Sequence, residues 1–232
     1  MRQLLTLLFL LSLATCALAQ DVIERGYGLE LTVHHGSRRL SGGRVFTLLE
    51  RQDSLESGRF GYGAGLIYTS RVNKIGFTTG LRYVETGYLV GRQDDSRSPG
   101  ASFEQEATAR YLSIPFELNF YQDITTKDRV FFTMGIAGHF HLGTTINQTN
   151  FLNEEQTTEE ELDLEEEVTY RSPIISLNTG LGFDRKLSDS WTLRLEPSFQ
   201  FFLQGNLVDP EVNLFNRNFY QLGGRVLVRR MF

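Results

Sequence analysis

The sequence predicts an all-β fold, an eight-stranded antiparallel up-and-down transmembrane β-barrel, and three observations lead to it. Apolar residues recur at every second position in eight separate segments, which is the period of a strand with two unlike faces. The links between those segments alternate short and long, as turns and loops do at the two ends of a membrane barrel. Charges in mid-segment share the parity of the small and polar residues, so one face is polar and the other is fit for lipid. Composition agrees: Phe (18), Tyr (9) and Gly (22) are abundant while Pro (5) and Met (3) are sparse.

Residues 1–19 read as a secretory signal. Arg2 gives a charged start, residues 4–13 an apolar run, and Ala17-Leu18-Ala19 a small-x-small cleavage site before Gln20. The stretch Leu13-Ala14-Thr15-Cys16 offers a rival reading as a lipidation site, with Thr15 out of place before the cysteine. Cleavage after Ala19 leaves residues 20–232 as one barrel domain with no cysteine, hence no disulfide. No later stretch approaches the roughly 20 apolar residues of a spanning helix.

The segments follow in order. The first, 26–35, turns Tyr27, Leu29, Leu31 and Val33 to lipid. The second, 59–69, turns out Phe60, Tyr62, Ala64, Leu66 and Tyr68 and keeps Gly61, Gly63 and Gly65 inside. The third, 74–88, presents Ile75, Phe77, Leu81 and Tyr83, and the fourth, 109–121, Leu112, Ile114, Phe116, Leu118 and Phe120. In the fifth, 129–142, Phe132, Met134, Ile136, Phe140 and Leu142 face out, and in the sixth, 173–186, Ile175, Leu177, Leu181 and Phe183 do. The seventh, 190–203, exposes Trp191, Leu193, Leu195, Phe199 and Phe201. The last, 219–232, alternates Tyr220, Leu222, Gly224, Val226 and Val228 with Gln221, Gly223, Arg225, Leu227 and Arg229.

Links 70–73, 122–128 and 187–189 are short, whereas 36–58, 89–108, 143–172 and 204–217 are long. An even strand number with this alternation puts both ends on the periplasmic side of a bacterial outer membrane and the long loops outside. Glu30, Arg82, Glu117, Arg194, Glu196 and Arg225 have inward parity and are expected to fill the interior with ion pairs. Eight strands leave room for side chains and little more, which excludes open diffusion of solutes. Outward charges such as Arg110, Arg185 and Arg230 fall near strand ends, where headgroups meet them. Tyr121, Trp191, Tyr68 and Phe183 at the turn end, and Tyr88 and Phe140 toward the loop end, are read as interfacial aromatic belts.

The stretch Arg110-Tyr111-Leu112-Ser113-Ile114-Pro115-Phe116-Glu117-Leu118 and the Gly-rich Asn178-Thr179-Gly180-Leu181-Gly182-Phe183 complete a resemblance. With the export signal and eight segments, the chain resembles the small outer-membrane β-barrel proteins of the Bacteroidota PorT-like (porin family) type. That resemblance spans nearly all of the mature chain, and its Tyr-Leu-x-Ile-Pro strand marks the group rather than one activity. It implies a non-enzymatic envelope scaffold or an accessory subunit of a secretion or surface assembly. The closing strand also resembles the signal read by the barrel-assembly machinery, with Gln221, Gly223, Val226, Val228 and the terminal aromatic Phe232 at the matching positions. The expected partners are outer-membrane lipid and lipopolysaccharide, that machinery, and another envelope protein.

Three histidines, His34, His139 and His141, share inward parity near the loop end, where neutral imidazoles bind metals or act as bases when other ligands converge. No Cys or carboxylate triad accompanies them, so no metal, cofactor or catalytic residue is assigned. The alternative function is an outer-membrane lipid A-modifying enzyme using a His with a Ser near the rim, with Ser37 and Ser102 as loop candidates. Residues 154–167 carry nine acidic residues and no basic one, broken by Leu162 and Leu164, as a solvated loop, a divalent-cation collector or a docking segment for a basic partner would. The net charge of −5 is concentrated there, leaving no basic field for nucleic acid. Asn147-Gln148-Thr149 matches a glycosylation sequon of little meaning in a bacterial chain.

Overall fold

The computed structural model describes residues 24–41, 46–95, 98–162, 169–208 and 215–232. The predicted signal segment, Cys16 and residues 163–167 of the acidic run lie outside them. The elements are β1 (Glu24–Ser41), α1 (Phe46–Leu55), β2 (Glu56–Val72), β3 (Ile75–Asp94), β4 (Ala101–Asp123), β5 (Asp128–Leu152), β6 (Glu155–Leu162), β7 (Ile174–Lys186), β8 (Trp191–Phe202) and β9 (Asn216–Met231). No helix among the described residues is long and apolar enough to cross a membrane.

Eight strands close a ring. Each pairs antiparallel with its neighbours, β4 pairs with β5, and β1 pairs with β9 to make the seam. The remaining strand, β6, stands outside that ring. At the short-turn end β5 pairs with β7, but its residues 146–152 pair instead with β6. A three-stranded ribbon β4–β5–β6 therefore rises above the ring at the long-loop end.

Parity explains the walls. Leu29, Leu31, Phe60, Leu66, Leu181 and Leu222 are each more than 60% exposed on the outer face, which is stable only against lipid. Inward neighbours such as Thr78, Glu117, Asn119, Thr133 and Asp184 are at most 1% exposed. The turn-end belt consists of Tyr27 packed between Tyr68 and Phe232, with ring centroids 5.5 and 5.2 Å away, and of Trp191.

Two belt assignments are corrected. Tyr121 is 5% exposed on the inner face, with Arg194 donating to its hydroxyl. Tyr88 also points inward and packs against the buried Ala109, Tyr111, Ile174, Phe202 and Phe219. Both have the inward parity of their strands, and parity outranks the interfacial preference of tyrosine.

The long links are partly ordered strand. β4 begins at Ala101 and β5 runs to Leu152, extending the hairpin well beyond 109–142. Leu152 and Glu155 face each other across a two-residue turn in which Asn153 and Glu154 both have positive φ (51° and 72°), the type I′ geometry that matches strand twist. Helix α1 occupies the first long link.

Candidate functional site: the filled interior

The interior is stacked in tiers, built from inward residues whose neighbours across the strand are often glycine. A Cβ on Gly65 would lie 2.8 Å from Arg82 Cγ, one on Gly135 2.7 Å from Glu117 Cα, and one on Gly180 2.5 Å from Glu196 Oε1. Long side chains thus occupy room that the missing side chains leave.

In the middle tier Glu117 accepts hydrogen bonds from Arg82 (2.8 and 3.2 Å), Arg225 (2.7 Å) and Asn178 (3.2 Å). Arg82 also grips Glu30, with Nε 2.6 Å from Oε1 and Nη2 3.0 Å from Oε2, and Arg225 donates to Glu196. Five of the six interior charges named from sequence therefore form one chain, Glu30–Arg82–Glu117–Arg225–Glu196. The sixth, Arg194, bonds elsewhere. It donates to Asn119 Oδ1 (3.3 Å) and Tyr121, lies 3.6 Å from Asp184 and sits over the Phe131 ring at 4.2 Å.

That lower tier is one the sequence reading did not assemble. Asp184 binds Arg229 and lies 3.8 Å from Arg129, which in turn donates to Glu24 at 2.7 Å. Lys186 (3.3 Å) and Arg71 (3.8 Å) also approach Glu24. Inward parity marks Asp184 and Arg229, and a search restricted to mid-strand charges passes over them.

The upper tier surrounds His139. Its Nδ1 lies 2.5 Å from Ser113 Oγ, and its Nε2 is 2.8 Å from both Ser176 Oγ and Gln200 Nε2. The Phe202 ring stacks on the imidazole at 4.4 Å, with Tyr111 beside it. Ser113, His139 and Ser176 are at most 1% exposed. A serine held by a histidine is the first element of nucleophilic chemistry, but this one is roofed by aromatic rings.

His34 is not drawn into that group, and His141 meets it edge-on through Tyr111, with ring centroids 5.6 Å apart. His34 sits between Gly61 and Gly223 on the strands beside it, and a Cβ on either glycine would come within 2.6 Å of the histidine. His141 stacks on Tyr170 at 4.3 Å. Among the described residues no group of three or more His, Cys, Asp or Glu is placed to hold a metal ion. Ser37 lies opposite Tyr220 on the outer parity of β1, and Ser102 opposite Phe151 in the ribbon. The serine hydroxyls bonded to an imidazole among the described residues are instead Ser113 and Ser176.

At the long-loop end a collar closes the stack. Glu56 accepts from Arg38 (2.7 Å), Gln52 (2.7 Å) and Arg217 (2.6 and 3.1 Å), tying α1 to β1, β2 and β9. Burial pushes the Glu56 carboxyl up, but the guanidiniums of Arg217 and Arg38 outweigh it and hold the group below the usual carboxylate range.

The assembly-signal residues divide by face. Gln221 is buried inside, Gly223 backs onto His34, Val226 and Val228 face out, and Phe232 stacks on Tyr27. Glu154, Glu155 and Glu159–Glu161 of the acidic run are exposed in the turn and on β6. Asn147 of the sequon lies within β5 opposite Glu106 and Glu161.

An apolar outer wall around a charged, filled interior defines an outer-membrane type of β-barrel. Solved structures with a similar fold include Neisserial surface protein A (12% identity, 89% of this chain and 97% of that chain, TM-score 0.42). Others are the attachment invasion locus protein Ail of Yersinia pestis in complex with the heparin analogue sucrose octasulfate (10%, 90% and 100%, 0.32) and OprG of Pseudomonas aeruginosa (9%, 90% and 95%, 0.35). No protein-family model and no curated protein matches the sequence.

Proposed function

We propose that the chain is a non-enzymatic outer-membrane barrel serving as an envelope scaffold or an accessory subunit of a secretion or surface assembly, the role that the PorT-like resemblance implies. The observation that carries this reading is the filled interior. Two tiers of ion pairs, the hydrogen-bonded His139 tier and its aromatic roof fill the middle of the barrel among the described residues, which speaks against a lumen for transport. Work is then left to the outer wall and the long-loop end, with the long loops outside and both chain ends periplasmic. The ribbon β4–β5–β6 offers an exposed surface to another envelope protein, outer-membrane lipid and lipopolysaccharide surround the wall, and the barrel-assembly machinery acts on β9. Tagged purification from native outer membrane in mild detergent, with mass spectrometry of whatever co-purifies, tests it. A stoichiometric companion is expected, and a barrel recovered alone together with single-channel conductance in planar bilayers would refute it.

A second reading, a lipid A-modifying enzyme, has the 2.5 Å Ser113–His139 contact in its favour and the burial of both groups against it. Lipid A from cells expressing the wild type and Ser113→Ala is expected to be identical; a modification lost in the variant would establish the enzyme.

A further inference from the structure

Between the Glu117 tier and the His139 tier lies a small internal cavity of about 30 Å³, lined by Thr32, His34, Arg82, Gln200, Gln221 and Arg225 among others. Several polar atoms of its walls are buried without a hydrogen-bond partner among the described residues: Gln221 Nε2, Arg225 Nε and both ring nitrogens of His34. The Glu85 carbonyl lies near the His34 ring, without a well-formed bond. Buried donors left unmatched are costly, and native interiors rarely keep several at one place.

We propose that this cavity is a binding site for one structural water molecule, which bridges β1 to β9 across the seam where the barrel closes. Three features select water. The volume exceeds the roughly 10–15 Å³ that a water needs, and at least three polar groups converge on it. The unmatched atoms are mainly donors, so the ligand must accept. A halide would also accept, but the guanidiniums of Arg82 and Arg225 on the cavity wall are already paired with Glu30, Glu117 and Glu196, so no unpaired positive charge is left there to hold an anion. Water accepts from Gln221 and Arg225 and still donates to or accepts from His34, whichever ring nitrogen holds the proton. Gln221 and Gly223, matched from sequence to the assembly signal, thus have a second task. Gly223 leaves space for His34, and Gln221 supplies a donor to the seam's water.

Crystals of the full barrel, refolded into detergent and grown in sodium chloride and then in sodium bromide, test the site. A diffraction peak within hydrogen-bond distance of Gln221 Nε2 and of Arg225 Nε or His34, with no anomalous bromine signal, is the expected result. An anomalous peak would replace water with a halide, and an empty cavity would overturn the proposal. Gln221→Met keeps the volume and removes the donor, so the peak's occupancy should fall at least severalfold; if that variant does not fold, His34→Leu makes the same test. Undiminished occupancy in the folded variant would overturn the bridge.

Discussion

Glu117→Gln removes one negative charge from the centre of the barrel while nearly conserving shape. The carboxylate is 1% exposed and accepts four hydrogen bonds, three of them from guanidiniums. Breaking a buried ion pair costs about 3–5 kcal/mol when the partner is left uncompensated. Here Arg82 keeps Glu30 and Arg225 keeps Glu196, and glutamine retains one accepting oxygen, so the lower figure applies. A loss of about 3 kcal/mol lowers the folded-to-unfolded ratio by roughly 100-fold. Urea unfolding of the refolded barrel in detergent reads it directly, because Trp191 is the single tryptophan and sits on the outer wall, where unfolding moves it from detergent to water. A loss below about 1 kcal/mol, the worth of an exposed pair, would mean that the tier is hydrated and refute the desolvation argument. The complementary variant replaces Glu30, Arg82, Glu117, Glu196 and Arg225 together with apolar residues of matching volume. It is expected to equal or exceed the wild type, and a variant as weak as Glu117→Gln would locate the effect in packing instead of charge.

Leu31 is 63% exposed on the lipid side of β1; Leu31→Arg is expected to destabilise the barrel by about 2–4 kcal/mol, and an unchanged urea midpoint in lipid vesicles would contradict the assigned face. Glu154 holds φ at 72° beside Asn153, and glycine occupies that position of a type I′ turn without steric cost. Glu154→Gly should therefore slow amide exchange in the β5–β6 hairpin, and faster exchange would disprove the turn assignment. Glu56 has a carboxyl held below its ordinary value in the folded state, so its contribution to stability is complete above the ordinary value of about 4.3 and lost as pH falls through the lower folded value. The Tm gap between wild type and Glu56→Gln is expected to be constant near neutral pH and to close in acid; a gap of the same size at about pH 2 would show that the collar does not depend on that charge.

The ring was legible because a lipid-facing wall imposes alternation on every strand, and each of the eight predicted segments contains the core of one observed strand. Above the belt both faces of the ribbon meet water, so nothing in residues 146–162 forces alternation, and β6 with its Glu-rich exposed faces reads as a loop. Tyr88 and Tyr121 failed differently. Both have inward parity, and that parity decides their face against the general preference of tyrosine for interfaces. The six interior charges are all buried, and only cross-strand register separates Arg194 from the other five. Ser113 lies directly opposite His139 in the β4–β5 hairpin and Ser176 lies on the neighbouring β7; the pairing depends on cross-strand register, which alternation alone does not give.

Register itself poses the harder physical question. A lipid-facing wall penalises a slip of one residue, which turns every side chain to the wrong face, yet a slip of two leaves the alternation intact. Selection against it comes from the short turns and from the inside. In the observed register Arg82 lies opposite Gly65, Glu117 opposite Gly135, Glu196 opposite Arg225, and His34 between Gly61 and Gly223. Moving β3 by two residues against β2 sets Arg82 against Gly63 or Ile67 and carries it away from Glu30; moving β9 against β8 sets Glu196 against Gly223 or Leu227 and strands its charge. At the seam the same slip sets His34 against Arg225 or Gln221, where the glycine gap no longer exists. Each mismatch overpacks a site or leaves a buried charge unpaired, at about 1–3 kcal/mol for the first and more for the second. The filled interior therefore acts together with the short turns to fix strand register, and that requirement gives a physical reason for placing so many charges inside the barrel.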